Sequence, residues 1–156
     1  MVILKHDRLW RAVLTVWGIV NLVNILQSAG FLSRVWTGSH TINHYLGYGI
    51  IALALPSAFA IITLVRARAG VRQLIGPLSF LVFVVFMIAV EYIWQVEFRD
   101  PVRNEILVPY LLLFFGSIFL MGVPMFRIDK HLWMITLATT ILLLASMGLA
   151  MVKGVG

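Results

Sequence analysis

The chain has 156 residues, of which 62% are hydrophobic and 12% are charged, and its mean hydropathy is +1.01. An ordinary soluble domain is about half apolar and about a quarter charged, so this composition indicates a chain that is solvated by lipid. The chain contains no cysteine, which excludes disulfides, thiolate metal ligands and cysteine nucleophiles. The net charge of +6 does not indicate nucleic-acid binding, because the cations lie in short clusters between apolar runs, where membrane topology accounts for them.

The first apolar run extends from about residue 9 to residue 32, and three positive residues lie at its start: Lys5, Arg8 and Arg11. A secretory signal peptide begins in the same way, but its apolar core is only about 7–15 residues long. This run is longer, and three amide side chains interrupt it. We therefore predict a membrane-spanning helix, since about 20 predominantly apolar residues cross a bilayer.

Four further apolar runs follow, with short connections between them. The second run of the chain is rich in small residues, which allow close helix packing in lipid, and Pro56 is expected to kink it because proline lacks a backbone N–H. The four runs cover about residues 41–65, 74–98, 106–126 and 132–152.

The sequence thus predicts an all-α integral membrane protein, with one transmembrane domain over residues 1–156, no soluble domain and a bundle of five transmembrane helices. The alternative is a bundle of four spans plus one interfacial helix, with the first or last run lying in the interface.

Positive charge predicts the orientation of the bundle. With five spans, eight of the twelve Lys and Arg residues fall on the N-terminal side and four on the other side. The N-terminus is therefore predicted to be cytoplasmic and the C-terminus external.

Polar side chains within the predicted spans gather toward the external side. Glu91 and Gln95 are i, i+4 neighbours on the third helix, and three amide side chains lie on the outer half of the first. His40, His44 and Tyr48 follow one another at i+4 spacing where the second helix starts. The sequence predicts an outward-facing pocket lined by Asn21, Asn24, Gln27, His40, His44, Tyr48, Glu91 and Gln95.

Glu91 has two interpretations. An ionised carboxylate is costly within a membrane, so it usually faces a bundle interior, a partner or a water-filled cavity, which favours the pocket. Alternatively, Glu91 lies near the end of its helix beside Tyr92 and Trp94, where it would reach water or pair with an arginine at headgroup depth.

Two kinds of chemistry fit such a pocket. His40 and His44, with Glu91 from a neighbouring helix, form a weak candidate for a transition-metal site. His44 and Glu91 are also candidates for acid and base in catalysis on a lipophilic substrate, which needs no cofactor. Haem is not expected, because the other histidines, His6 and His131, lie toward the opposite membrane face.

The function predicted from the sequence is a multi-pass membrane protein that binds a small or lipophilic ligand in this pocket, with the lipid bilayer around it. A small membrane enzyme that uses histidine and glutamate is the first alternative. An accessory subunit of a larger membrane complex, in contact with other membrane chains, is the second.

Overall fold

The structure is a computed structural model that describes residues 2–39, 41–98 and 103–155, with side chains described from residue 7 onward. Its helices are α1 (Val2–Thr37), α2 (Thr41–Ala52), α3 (Ala54–Arg66), α4 (Val71–Met87), a π-helical turn (Ile88–Ile93), α5 (Asn104–Gly122), α6 (Met125–Ile128) and α7 (Lys130–Val152).

Within the described residues, five helical segments are long and apolar enough to cross a membrane. The shortest have 23 residues, or about 35 Å at 1.5 Å per residue, against roughly 30 Å of hydrocarbon in a bilayer. The segments are Asp7–Thr37, Thr41–Arg66, Val71–Ile93, Asn104–Ile128 and Lys130–Val152. The predicted five-helix bundle is confirmed, and the protein is an integral multi-pass membrane protein.

Because the number of spans is odd, the two chain termini lie at opposite ends of the bundle. We name each end after the terminus that it carries. The N-terminal end carries the start of α1, the α3–α4 connection and the segment around α6. The C-terminal end carries the α1–α2 turn, the residues after the π-helical turn and the end of α7.

Helix α1 is the central element of the packing. It lies against α7 on one side and against α2 and α3 on the other, while α4 packs between α3 and α5. Between α4 and α5 the core is aromatic: the Phe83 ring lies 5.4 Å from that of Tyr110 and 5.2 Å from that of Phe114. Helices α5 and α7 contact each other only weakly, although both contact α1 and α6.

The second span is interrupted at Leu53, just before Pro56. Helix α2 ends at Ala52 and α3 begins at Ala54, because Pro56 has no N–H to donate to the carbonyl of Ala52. At the break, the N–H of Leu53 is shared between the carbonyls of Gly49 and Ile50, at 3.3 and 3.1 Å. The kink predicted at Pro56 is therefore found as a tightened turn on its N-terminal side.

The end of the third span differs from the prediction. A regular helix was expected to continue to residue 98, but the last turn is π-helical and ends at Ile93. The Trp94 N–H donates to the Ala89 carbonyl at 2.8 Å, and Gln95 has φ of 48°. Gln95 therefore leaves the helix, and the predicted i, i+4 alignment of Glu91 with Gln95 is wrong.

The other helix ends follow from local capping. Helix α1 continues past the predicted end at residue 32 to Thr37, where Gly38 adopts φ of 65° and its N–H donates to the Arg34 carbonyl at 2.8 Å. Helix α7 starts at Lys130 because the Asp129 carboxylate accepts from two backbone N–H groups of the first turn.

Gly76 sets the distance between α4 and α5. A Cβ at this position would lie 2.7 Å from the carbonyl oxygen of Leu120, so the two backbones are in direct contact. We expect Gly76→Ala to lower the free energy of unfolding by about 1–3 kcal/mol, because backbone has to move to admit the methyl group.

Gly116→Ala is the matched control, since nothing lies within 4 Å of its Cβ position. It should leave stability unchanged or slightly raised, as alanine favours helix. The free energy of unfolding of both variants is measured in mixed detergent micelles. Equal changes for Gly76→Ala and Gly116→Ala would contradict the close α4–α5 contact.

Candidate functional site

The structure distributes the predicted pocket residues over three places. His40 lies outside the described residues. The other seven lie at the α1–α7 interface, around the π-helical turn, and in a groove between α1, α5 and α7. They are Asn21 and Asn24 in the first place, His44, Tyr48, Glu91 and Gln95 in the second, and Gln27 in the third.

The two asparagines of α1 hydrogen-bond to threonines of α7. Thr139 Oγ1 donates to Asn21 Oδ1 at 2.8 Å, and Asn24 Nδ2 donates to Thr139 and Thr140 at 3.1 and 3.0 Å. Asn21 Nδ2 also donates to Thr136 Oγ1 at 3.2 Å. Both amides are buried, so these side chains hold α7 against α1 and do not face the π-helical turn.

A further contact extends this polar seam toward the N-terminal end, and others lie within α7. Trp17 Nε1 donates to the Leu132 carbonyl at 2.9 Å near the N-terminal end. Thr140 donates back to the Thr136 carbonyl in its own helix at 2.8 Å, and the single O–H of Thr139 shares that acceptor, at 3.0 Å, with Asn21 Oδ1. The Asn24 Oδ1 atom is buried with no hydrogen-bond partner, which offsets part of what the seam contributes to stability.

An aromatic cluster joins α2 to the π-helical turn. The His44 ring stacks on Tyr92 with centroids 4.8 Å apart and meets Tyr48 edge-on at 5.4 Å. The Tyr92 hydroxyl donates to the His44 carbonyl at 3.0 Å and fits over Gly47, where a Cβ would collide with it. The cluster packs α2 against the turn, with His44 and Tyr48 exposed at its edge.

Glu91 and Gln95 lie in different surroundings. Glu91 is partly buried in the π-helical turn, two residues before the span ends at Ile93, and Gln95 is exposed beyond it. Over residues 2–39, 41–98 and 103–155, no three histidine, aspartate or glutamate side chains lie close enough to hold a metal ion. Because His40 lies outside these ranges, the weak metal site predicted from it stays a prediction.

A cavity at the C-terminal end lies between α1, α5 and α7 and has a volume of about 380 Å³. Ligand pockets in proteins commonly have about 300–1,000 Å³. We call it the α1/α5/α7 groove. It is lined by Gln27, Phe31, Arg34, Leu107, Tyr110, Leu111, Phe114, Phe115, Met147, Met151 and Gly154.

Arg34 is the charged residue of this lining, and its side chain is only 2% exposed. Its guanidinium carbon lies 5.0 Å from the centre of the Phe31 ring, a cation–π contact that holds the side chain in place. Gln27 lies about two helical turns deeper in α1. The groove therefore has its amide and charged groups on α1, while the walls on α5 and α7 are apolar except for the phenol of Tyr110.

The groove exists because α5 and α7 diverge from each other. They are joined through α6 at the N-terminal end and both pack on α1, but they have few contacts with each other. Met147 and Met151 line the α7 side, and their flexible thioether chains adapt to different occupants.

Arg34 is one of the four positive residues counted on the C-terminal side of the bundle, and no binding role was predicted for it from the sequence. A signal for its role was present, because Gln27, Phe31 and Arg34 are spaced i, i+4, i+7 and so share one face of α1. What the sequence lacked was the position of α5 relative to that face.

No protein-family model, no characterised protein sequence and no solved structure matches this chain. Its function is therefore inferred from the arrangement of its own residues.

Thr139 is the centre of the seam between α1 and α7, so we expect it to be coupled to Asn21. In a double-mutant cycle, Thr139→Val and Asn21→Ala should show an interaction free energy of about 0.5–1.5 kcal/mol, the range for hydrogen bonds between membrane helices. Thr63→Val is the matched control, since the Thr63 hydroxyl bonds only to its own helix, at the Phe59 carbonyl. An interaction energy between Thr139 and Asn21 no larger than that between Thr63 and Asn21 would contradict the seam.

Proposed function

We propose that the protein is a membrane-embedded binding protein whose α1/α5/α7 groove takes one lipophilic molecule with a hydrogen-bond-accepting or anionic head. The observation that carries this proposal is the buried Arg34 in the wall of an otherwise largely apolar cavity of ligand size. Arg34 and Gln27 supply the polar contacts, and the walls of α5 and α7 enclose the apolar body.

The chemistry of Arg34 favours such a head group. A guanidinium carries five N–H donors and no acceptor, and its planar fork matches a carboxylate or phosphate. Arginines near the ends of membrane helices usually extend to the interface, whereas Arg34 is buried within the bundle although it lies three residues from the end of α1. An arginine in the wall of a cavity is suited to hold an acceptor there.

The position of Arg34 along α1 gives the orientation of the ligand. Arg34 is three residues from the end of α1, near the membrane boundary, while Gln27 lies about 10 Å deeper at 1.5 Å per residue. An amphiphile that enters from the surrounding lipid would place its head beside Arg34 and extend its apolar body past Gln27. The ligand would then have the same orientation as the surrounding lipids, with its head at the membrane boundary and its apolar body toward the membrane centre.

The walls of α5 and α7 match an apolar body. The α5 side presents Leu107, Leu111 and Phe115, and the α7 side presents Met147 and Met151. The groove is partly open to its surroundings, and the ligand would enter it sideways from the bilayer without passing through water.

The other functions predicted from the sequence stay predictions. Glu91, predicted as an intramembrane glutamate, and His44 would be the acid and base of a small membrane enzyme. His44 stacks on Tyr92, and neither residue lines the α1/α5/α7 groove. An accessory role in a larger complex would use the apolar outer faces of the helices, which lipid also covers.

Replacing Leu111 by tryptophan should close the groove without changing its polar wall. Leu111 lines the groove, whereas the adjacent Leu112 does not and is 69% exposed on the outer face of α5. In native mass spectrometry of protein purified in mild detergent, wild type and Leu112→Trp should retain the same lipophilic adduct. Leu111→Trp should lose it by at least about 10-fold, because an added ring occupies the space of the ligand.

Arg34→Gln should weaken the same adduct, since an amide replaces the charged fork. If wild type and all variants carry the same bulk detergent or lipid masses, the groove is not a specific site. Loss of the adduct from Leu112→Trp as strongly as from Leu111→Trp would also overturn the proposal.

The orientation of the protein also follows from its charges: the N-terminus is cytoplasmic and the C-terminus external. The N-terminal end has the larger share of positive residues, which favours the cytoplasmic side. Because the chain has no cysteine, single cysteines report the orientation without background.

Lys153→Cys at the C-terminal end should react with a membrane-impermeant maleimide in intact cells. Arg66→Cys at the N-terminal end should react only after permeabilisation. Both side chains are exposed, and the cysteine-free parent is the control. The reverse labelling pattern would show that the N-terminus is external.

A further inference from the structure

A second groove lies at the opposite end of the bundle, between the start of α4 and the end of the fourth span. Its volume is about 350 Å³. We call it the arginine groove, and it is lined by Arg72, Gln73, Ile75, Phe119, Leu120, Val123, Pro124, Arg127 and Ile128.

We propose that the arginine groove binds one anionic phospholipid, with its phosphate between Arg72 and Arg127 and an acyl chain along α4 and α5. The proposal is independent of the α1/α5/α7 groove, because the two cavities lie at opposite ends and share no lining residue.

The two arginines come from different helices and face one cavity. Arg72 is the second residue of α4, and Arg127 belongs to the last turn of α6. Both lie within one residue of a span end, since the spans begin at Val71 and end at Ile128. They are therefore at headgroup depth, where a lipid phosphate is found.

The apolar side of the groove extends from that depth into the membrane. Ile75 lies one turn below Arg72, and Phe119 and Val123 lie below Arg127. Phe119 is 66% exposed, which makes it available to an acyl chain.

The charges near the groove favour an anion. Arg66 and Arg68 are also exposed at this end, while the Asp129 carboxylate is engaged in capping α7. Gln73 adds an amide donor within the groove itself. The floor is rigid because Gly76 brings α4 directly against the backbone of α5. An arginine near a membrane surface is attracted to anionic lipid by about 1 kcal/mol, or about fivefold in affinity.

The test is a titration of the detergent-purified chain with short-chain phosphatidylglycerol and with phosphatidylcholine of the same chain length, read as thermal stabilisation. Wild type should bind the anionic lipid more tightly. Arg72→Gln and Arg127→Gln should each weaken it about fivefold, and the double variant about 30-fold. Arg66→Gln, at the same end but outside the groove, should change it less than twofold.

Val123→Trp provides a variant that keeps both arginines but fills the apolar part of the groove. It should also weaken phosphatidylglycerol binding by at least about fivefold. Three outcomes would overturn the proposal: equal stabilisation by the two lipids, an effect of Arg66→Gln as large as that of Arg72→Gln, or equal stabilisation by inorganic phosphate, which would identify a free anion as the ligand. The same titrations are repeated in a Leu111→Trp background, so that phosphatidylglycerol entering the α1/α5/α7 groove does not contribute to the stabilisation.

Discussion

The hydrogen-bonded seam between α1 and α7 is the interaction on which the shape of the bundle depends. In lipid, apolar contact alone gives little preference for one helix neighbour over another, so polar side chains decide which helices pair. Asn21 and Asn24 meet three threonines of α7 and fix that helix to α1. Since α7 has few contacts with α5, the same pairing leaves the α1/α5/α7 groove between them.

The remaining helices form a tighter unit on the other side of α1. Gly76 brings α4 against α5, and aromatic side chains fill the space between them toward the C-terminal end. At that end, Tyr92 and His44 pack the π-helical turn against α2. The bundle thus combines a close-packed half with a more open half that holds the groove. In the proposed function, the close-packed half maintains the shape of the bundle while the other half admits a ligand.

Hydropathy was enough to predict the class, the number of spans and most of their limits. Each run of about 20 apolar residues can satisfy its backbone in lipid only as a helix, so few alternatives exist. Two local features were not predicted. The π-helical turn at Ile88–Ile93 separates Glu91 from Gln95, and nothing in the local residue pattern distinguishes it from a regular turn. Helix α1 also extends to Thr37, past the predicted end.

The site was harder to predict than the fold because it depends on which helices are neighbours. Depth along each helix was available from the sequence, and it placed several polar residues at the same level. Depth does not say which way a helix face points, so the asparagines were assigned to a pocket although they bond to α7. Arg34 was read as a topology charge because its burial depends on α5 and α7, which lie far away in the chain.

The most direct measurement of the central claim is photo-crosslinking of the membrane-bound protein with a single-chain carboxylate amphiphile that carries a photoreactive group in its tail. The cross-linked peptides are then identified by mass spectrometry. We expect adducts concentrated on residues 107–115 and 147–154, which face each other across the groove, and competition by the unlabelled amphiphile. Adducts spread evenly over the outer faces of all five spans, without competition, would contradict a specific site between α1, α5 and α7.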